Sequence, residues 1–207
     1  MRVRRDERGL TLVEVLVAIA ILGIIIIPLG NALLSFIRNT DDTTRRLSES
    51  HDAQIMAAYF AQDVQSVGVR DWEKDGFPLK QSIFPNVDYN SLAYNSPADK
   101  CGADDTPKAV VGFAWNNRGT SETVRVSYVV KTVGTERQLH RIRCVGSLAP
   151  VNIVLARNVV DATPPDCSAV CSAAPKVPQS VTLTVTIKAS GGQQPLIVTL
   201  TGQRRQT

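Results

Sequence analysis

The sequence predicts an α+β protein in which a long N-terminal transmembrane and amphipathic helix packs on an antiparallel β-sheet. Three observations carry that prediction. From Val15 to Ile37 only Asn31 and Ser35 are clearly polar, a run long enough to cross a hydrocarbon core as a helix. Met56, Phe60, Val64 and Val67 then recur at helical spacing, with Tyr59 beside them, as one apolar stripe. Beyond residue 108 the apolar residues fall into short Val-rich runs, the cleanest being VTLTVTIKA at 181 to 189, which places Val181, Leu183, Val185 and Ile187 on one face.

The chain has 207 residues, 43% of them hydrophobic and 20% charged, which allows one modest globular domain beside the apolar segment. Its formal charge is +4. Much of that excess lies in MRVRRDERG, where Arg2, Arg4, Arg5 and Arg8 outweigh Asp6 and Glu7. Arginines ahead of a span favour an inside N-terminus and place residues after Ile37 outside. All four cysteines, Cys101, Cys144, Cys167 and Cys171, fall in that outside part, where disulfides are permitted.

The elements follow in order. The apolar run gives a first helical half that is apolar all round. A polar stretch, TDDTTRRLSES, continues it, and the stripe of residues 56 to 67 completes one long helix with Gly68 as a stop. From Val69 to Lys108, Pro78, Pro85, Pro97 and Pro107 predict an irregular segment with room for one short element. Strands are expected at AVVGFAW (109 to 115), TVRVSYVV (123 to 130), QLHRIRCV (138 to 145) and VNIVLARNVV (151 to 160), the last part of which also reads as a turn. A proline-rich loop, DATPPDCSAVCSAAPKVPQ, precedes VTLTVTIKA, and PLIVTLTGQ supplies a last strand. A half-buried antiparallel sheet needs a cover for its apolar face, and the helical stripe is the nearest supply.

Glu14 does not fit a plain membrane anchor. An acid costs about 2.5–3.5 kcal/mol at mid-membrane, less near an interface, and a monomeric anchor gains nothing from it. An ordinary signal peptide, cut after Ala32 in GNA, leaves it equally unexplained. The economical resolution is a positive group on another chain, met after insertion.

GLTLVEVLVAIAILGI, behind an arginine-rich leader, resembles the class III signal sequence of type IV prepilins and pseudopilins. That resemblance implies cleavage by a membrane prepilin peptidase between Gly9 and Leu10, methylation of the new amine at Leu10, and Glu14 as the acid fifth in the mature chain. Leu10 stands where the family most often has Phe. The resemblance further implies a filament in which an incoming amine meets a neighbour's Glu14, relieving two buried charges together. Its organisation would be a leader at 1–9, a transmembrane and filament-core segment at 10–37, an amphipathic continuation at 38–70, and an exported β-rich domain at 71–207. Pro28 and Gly30 mark either a passive kink or a place where the helix loosens on packing.

Beyond residue 37 the resemblance is softer. FAQDVQSV, VRVSYVV, QLHRIRCV and ARNVVD look like the J-like minor pseudopilins, with Asp63 as the internal acid of the helix and Tyr128 as the strand tyrosine. Both read as scaffold, Asp63 on a solvated helix face and Tyr128 as a packed aromatic. Size and long irregular insertions at 69–108 and 161–180 also fit a minor subunit.

The function expected is therefore a minor pilin or pseudopilin subunit, with other such subunits and an inner-membrane assembly platform as partners. The alternatives are a filament-borne module that binds DNA or surfaces, and a simple anchored exported protein. An enzyme is not expected: there is no Ser/His/Asp spacing, no HExxH and no phosphate loop. Nucleic acid is not supported beyond the arginines Arg137, Arg141, Arg143, Arg157, Arg204 and Arg205, which bind it only if they share one surface. Four cysteines allow three pairings. Cys167 with Cys171 is a local bridge, which leaves Cys101 with Cys144. No cofactor or metal is expected: CSAVC lacks the C-x2-C spacing of zinc knuckles, His140 stands alone near Cys144, and Asp104–Asp105 reads as a solvated turn rather than a calcium site.

Overall fold

A computed structural model describes residues 11–87, 108–117, 122–146, 148–188 and 194–205. The chain divides into two units, Met1–Arg46 and Leu47–Thr207. A single helix, α1, runs from Leu12 to Ser66. Eleven strands follow among the described residues: β1 (Val69–Arg70), β2 (Leu79–Lys80), β3 (Ile83–Val87), β4 (Ala109–Asn116), β5 (Thr123–Val133), β6 (Glu136–Val145), β7 (Val151–Ala156), β8 (Val159–Ala162), β9 (Asp166–Cys167), β10 (Ser180–Ile187) and β11 (Leu196–Gln203).

In the first unit the helix is exposed along its apolar length, from Leu12 through Ile37. It is the one described helix long and apolar enough to cross a membrane. Pro28 lies inside it, and the helical assignment continues through Pro28 and Gly30.

In the second unit the strands form a five-stranded sheet ordered β3-β4-β5-β6-β7, a sheet ordered β11-β10-β8 with β9 also paired to β10, and the hairpin β1-β2. The pairings between these strands are antiparallel. The sequence reading gathered the strands into one half-buried sheet. They divide into two principal sheets instead, and the helical stripe covers both. Met56, Phe60, Val64 and Val67 are buried with Phe113, Tyr128 and Leu139 of the five-stranded sheet and with Val181, Leu183, Val185 and Leu200 of the other. Phe60, Phe113 and Tyr128 meet edge to face, with ring centroids 5.5–5.9 Å apart. Aromatic pairs in that geometry contribute about 0.5–1.5 kcal/mol each beyond their buried area.

The five-stranded sheet also carries buried residues on its second face: Phe84, Ala114, Val129, Ile142 and Cys144. This explains why β5 reads as a nearly continuous run instead of a strict alternation. By contrast β10 alternates buried and half-buried positions along its whole length, as VTLTVTIKA predicts.

Several boundaries differ from expectation. The helix stops at Ser66, and Gly68 follows with φ of 144°, a value L side chains rarely adopt. The segment from Val69, expected to be irregular with room for one short element, forms the β1-β2 hairpin and contributes β3 to the large sheet. Its Pro85 is tolerated because, among the described residues, β3 pairs on one side only, with β4. VNIVLARNVV splits into β7 and β8, because Asn158 turns the chain at a φ of 54°. Close packing sets one further position. A Cβ on Gly202 of β11 would lie 2.5 Å from the Val64 Cβ, so the strand reaches the helix only as glycine.

Candidate functional site

The start of α1 is built by Thr11 and Glu14. The Glu14 Oε2 accepts the Thr11 backbone N–H and the Thr11 hydroxyl, both at 3.1 Å, and the Glu14 N–H donates to the Thr11 Oγ1 at 3.3 Å. This reciprocal arrangement is a capping box, which satisfies donors that a helix start leaves open. TLVE has the required T-x-x-E spacing ahead of an apolar run, so the signal was present in the sequence although Thr11 was not singled out. The carboxylate is otherwise exposed at the head of an exposed apolar helix. Gly9 and Leu10, the expected cleavage and methylation residues, lie outside the described residues.

The cysteines fall into two places. Cys167 and Cys171 form a disulfide with Cα atoms 5.4 Å apart, as the shared loop predicts. Cys144, on β6, is also disulfide-bonded; its expected partner Cys101 lies outside the described residues, as do Asp104 and Asp105. His140 shares the sheet face of Cys144, and its ring nitrogens pair with Asn152 Oδ1 at 2.9 Å and Gln138 Oε1 at 3.2 Å.

Asp63 is where the reading of a solvated helix face fails. It is 1% exposed. Its Oδ2 accepts the Tyr128 hydroxyl at 2.7 Å and the Arg141 Nε at 2.7 Å, and its Oδ1 accepts the Arg141 Nη2 at 2.6 Å. Arg141 also sits over the Tyr59 ring, 4.9 Å from its centroid. A buried acid survives because this fork, a bidentate guanidinium plus a phenol, fills its lone pairs. Burial, with the adjacent Asp63 charge, holds the Tyr128 hydroxyl well above the ordinary tyrosine range. Burial alone would lower Arg141, but the hydrogen bond and charge of Asp63 outweigh it and raise the guanidinium. The cluster joins helix to sheet and offers no open face for chemistry, so the scaffold reading of Asp63 and Tyr128 stands while their surroundings differ.

The arginines that were candidates for a nucleic-acid patch do not act as one exposed set. Arg141 is spent on Asp63. Arg137 donates to the Val160 carbonyl. Burial and the nearby positive charge of Arg70 push Arg204 below its ordinary range, and its Nε and Nη1 are buried without hydrogen-bond partners among the described residues.

Compared with known proteins, residues 4–30 match the family described as the prokaryotic N-terminal methylation motif. No curated protein and no solved structure matches the chain. The match spans the basic leader, Glu14 and Pro28, and it meets an exposed apolar helix continued into a helix-on-sheet core. Residues 4–30 of the chain thus carry the prokaryotic N-terminal methylation motif, a class III signal sequence.

Proposed function

We propose that the chain is a minor pilin or pseudopilin subunit, cut by prepilin peptidase between Gly9 and Leu10, methylated at Leu10, and assembled through α1 into a type IV pilus-like or type II secretion-like filament. The observation that carries this reading is Glu14 at the head of an apolar helical stretch whose side chains are exposed from Leu12 to Ile37. Such a helix is complete only in lipid or among other helices, and the acid gains a partner only in the second setting. In the separate subunit Thr11 occupies the carboxylate. On assembly a neighbour's Leu10 amine takes its place and neutralises it, which fixes vertical register while apolar contacts supply the bulk of packing. The size of the exported part and its insertions favour a minor role.

The test uses two variants in the native host. Gly9 replaced by a bulky residue leaves uncut precursor in the membrane. Glu14→Ala leaves cleavage largely intact and lowers the amount of subunit in sheared filaments. Precursor and mature sizes on a blot, with recovery in the filament fraction, separate the two defects. Normal incorporation of Glu14→Ala, in a filament shown to need this subunit, refutes the contact. A mature N-terminus at Leu33 refutes the filament reading itself.

A further inference from the structure

A cleft of about 430 Å³ opens where three elements of the second unit end. Gln62 and Gln65 come from the last turn of α1, Trp115, Asn116 and Asn117 from the end of β4, and Arg205 from the chain after β11. Its walls are fixed by main-chain bonds. The Arg205 N–H donates to the Gln65 carbonyl at 3.3 Å, the Gly68 N–H to the Ala114 carbonyl at 3.1 Å, and the Asn117 N–H to the Glu122 carbonyl at 2.9 Å. Asn116 is oriented by the Arg70 N–H, which donates to its Oδ1 at 2.7 Å. Trp115 is held in turn, half-buried against the main core.

We infer that this cleft is a saccharide-binding site. Four carboxamides, one indole and one guanidinium meet there with the Ser66 hydroxyl, and among the described residues neither an acid nor an aliphatic side chain lines it. A carboxamide both donates and accepts. Adjacent sugar hydroxyls do the same, so a pyranose edge is matched pair for pair. The indole supplies an apolar face for the ring's C–H side and a donor at its edge. The volume lies in the range of small-molecule sites. A phosphate-rich ligand is a poorer match. Among the described residues Arg205 is the single cation in the lining, and the last turn of α1 directs its carbonyls to this end with no basic residue in that turn. Single-stranded nucleic acid, which also stacks on indole, normally requires a positive groove along its backbone.

The site does not depend on cleavage at Gly9 or on Glu14, so it stands or falls apart from the filament reading. The experiment uses the full chain in detergent. Trp72→Phe leaves Trp115 as the sole tryptophan of the two in the sequence. Its fluorescence is titrated with a panel of short neutral and acidic oligosaccharides, and with a single-stranded oligonucleotide and inorganic phosphate as competitors. Saturable binding of at least one oligosaccharide is expected. Gln62→Ala and Asn117→Ala, neither in the buried core, should each weaken it about tenfold, the loss of one good hydrogen bond or slightly more. Unchanged far-ultraviolet circular dichroism of both variants guards against misfolding. Absence of binding across the panel, affinity that both variants leave unchanged, or preferential binding of the oligonucleotide or phosphate overturns the assignment.

Discussion

Arg141 and Asp63 lie 78 residues apart in sequence, and Arg141 grips the acid with two hydrogen bonds of 2.6 and 2.7 Å in a buried site between helix and sheet. Removing one member leaves the other charged and buried. Arg141→Met should therefore destabilise the globular unit by about 3–5 kcal/mol, whereas a paired replacement of Asp63 and Arg141 by apolar residues of similar volume should recover most of the loss. Urea unfolding of the single and double variants checks this. Equal loss in both would mean that packing, not the unpaired charge, sets the cost.

Tyr128 gives a pH signature. Burial and Asp63 raise its folded value well above the ordinary 10.0. In the unfolded chain the phenol ionises near pH 10, so above that pH the unfolded state loses a proton that the folded state keeps. Stability contributed by neutral Tyr128 is complete below about pH 10 and declines as pH rises beyond it. Absorbance at the phenolate band should show one of the four tyrosines in the sequence withheld until unfolding. In Tyr128→Phe that withheld fraction should disappear, with a cost of about 1.5–3 kcal/mol at neutral pH for the lost bond to a charged acceptor.

Gly202→Ala should be costly for so small a change. The added carbon would meet the Val64 Cβ at 2.5 Å, and a Cβ cannot swing away as a side-chain tip can. Overpacking of this kind costs about 1–3 kcal/mol. Val64→Ala removes the two methyl groups but not the Cβ, so it should relieve part of the strain. Thermal melts of the two single variants and the double variant measure the coupling.

The Cys167–Cys171 bridge closes a very short loop. In the chain-entropy account such a loop contributes about 2 kcal/mol, less than a long closure would. Cys167→Ser with Cys171→Ser should lower the unfolding midpoint modestly and leave the sheets intact. Peptide mapping without reductant should recover the two cysteines linked.

Legibility in the sequence followed the physics of each segment. The alternation of Val181, Leu183, Val185 and Ile187 could be read because only one face of β10 packs on the main core. β3 could not, because Pro85 and Asn86 read as breakers, and only the edge position of the strand accommodates them. The split between β7 and β8 was legible only as an alternative turn in VNIVLARNVV, because Arg157–Asn158 contains neither glycine nor proline. Asp63 was misplaced on a solvated face because an acid on a helix is ordinarily exposed, and the arginine that buries it is remote in sequence. Glu14 was legible from the apolar run around it, although its bond to Thr11 was overlooked. The candidate saccharide cleft was invisible because its amides come from three separate element ends, each of which alone looks like ordinary polar surface.

The order β3-β4-β5-β6-β7 has a consequence for delivery. A chain anchored by its first helix and exported beyond it threads across the membrane as an extended strand, in the order of its sequence. From β4 onward each strand of this sheet then finds its pairing edge already outside and waiting. β10 likewise arrives after β8 and β9, and β11 closes on β10 as the last step. In the five-stranded sheet the newest edge is therefore soon covered by the next strand, whereas β8 and β9 wait for β10, which leaves the channel after them. The architecture suits a protein that folds at the mouth of a translocation channel, a few strands at a time, while crowded beside other unfinished copies.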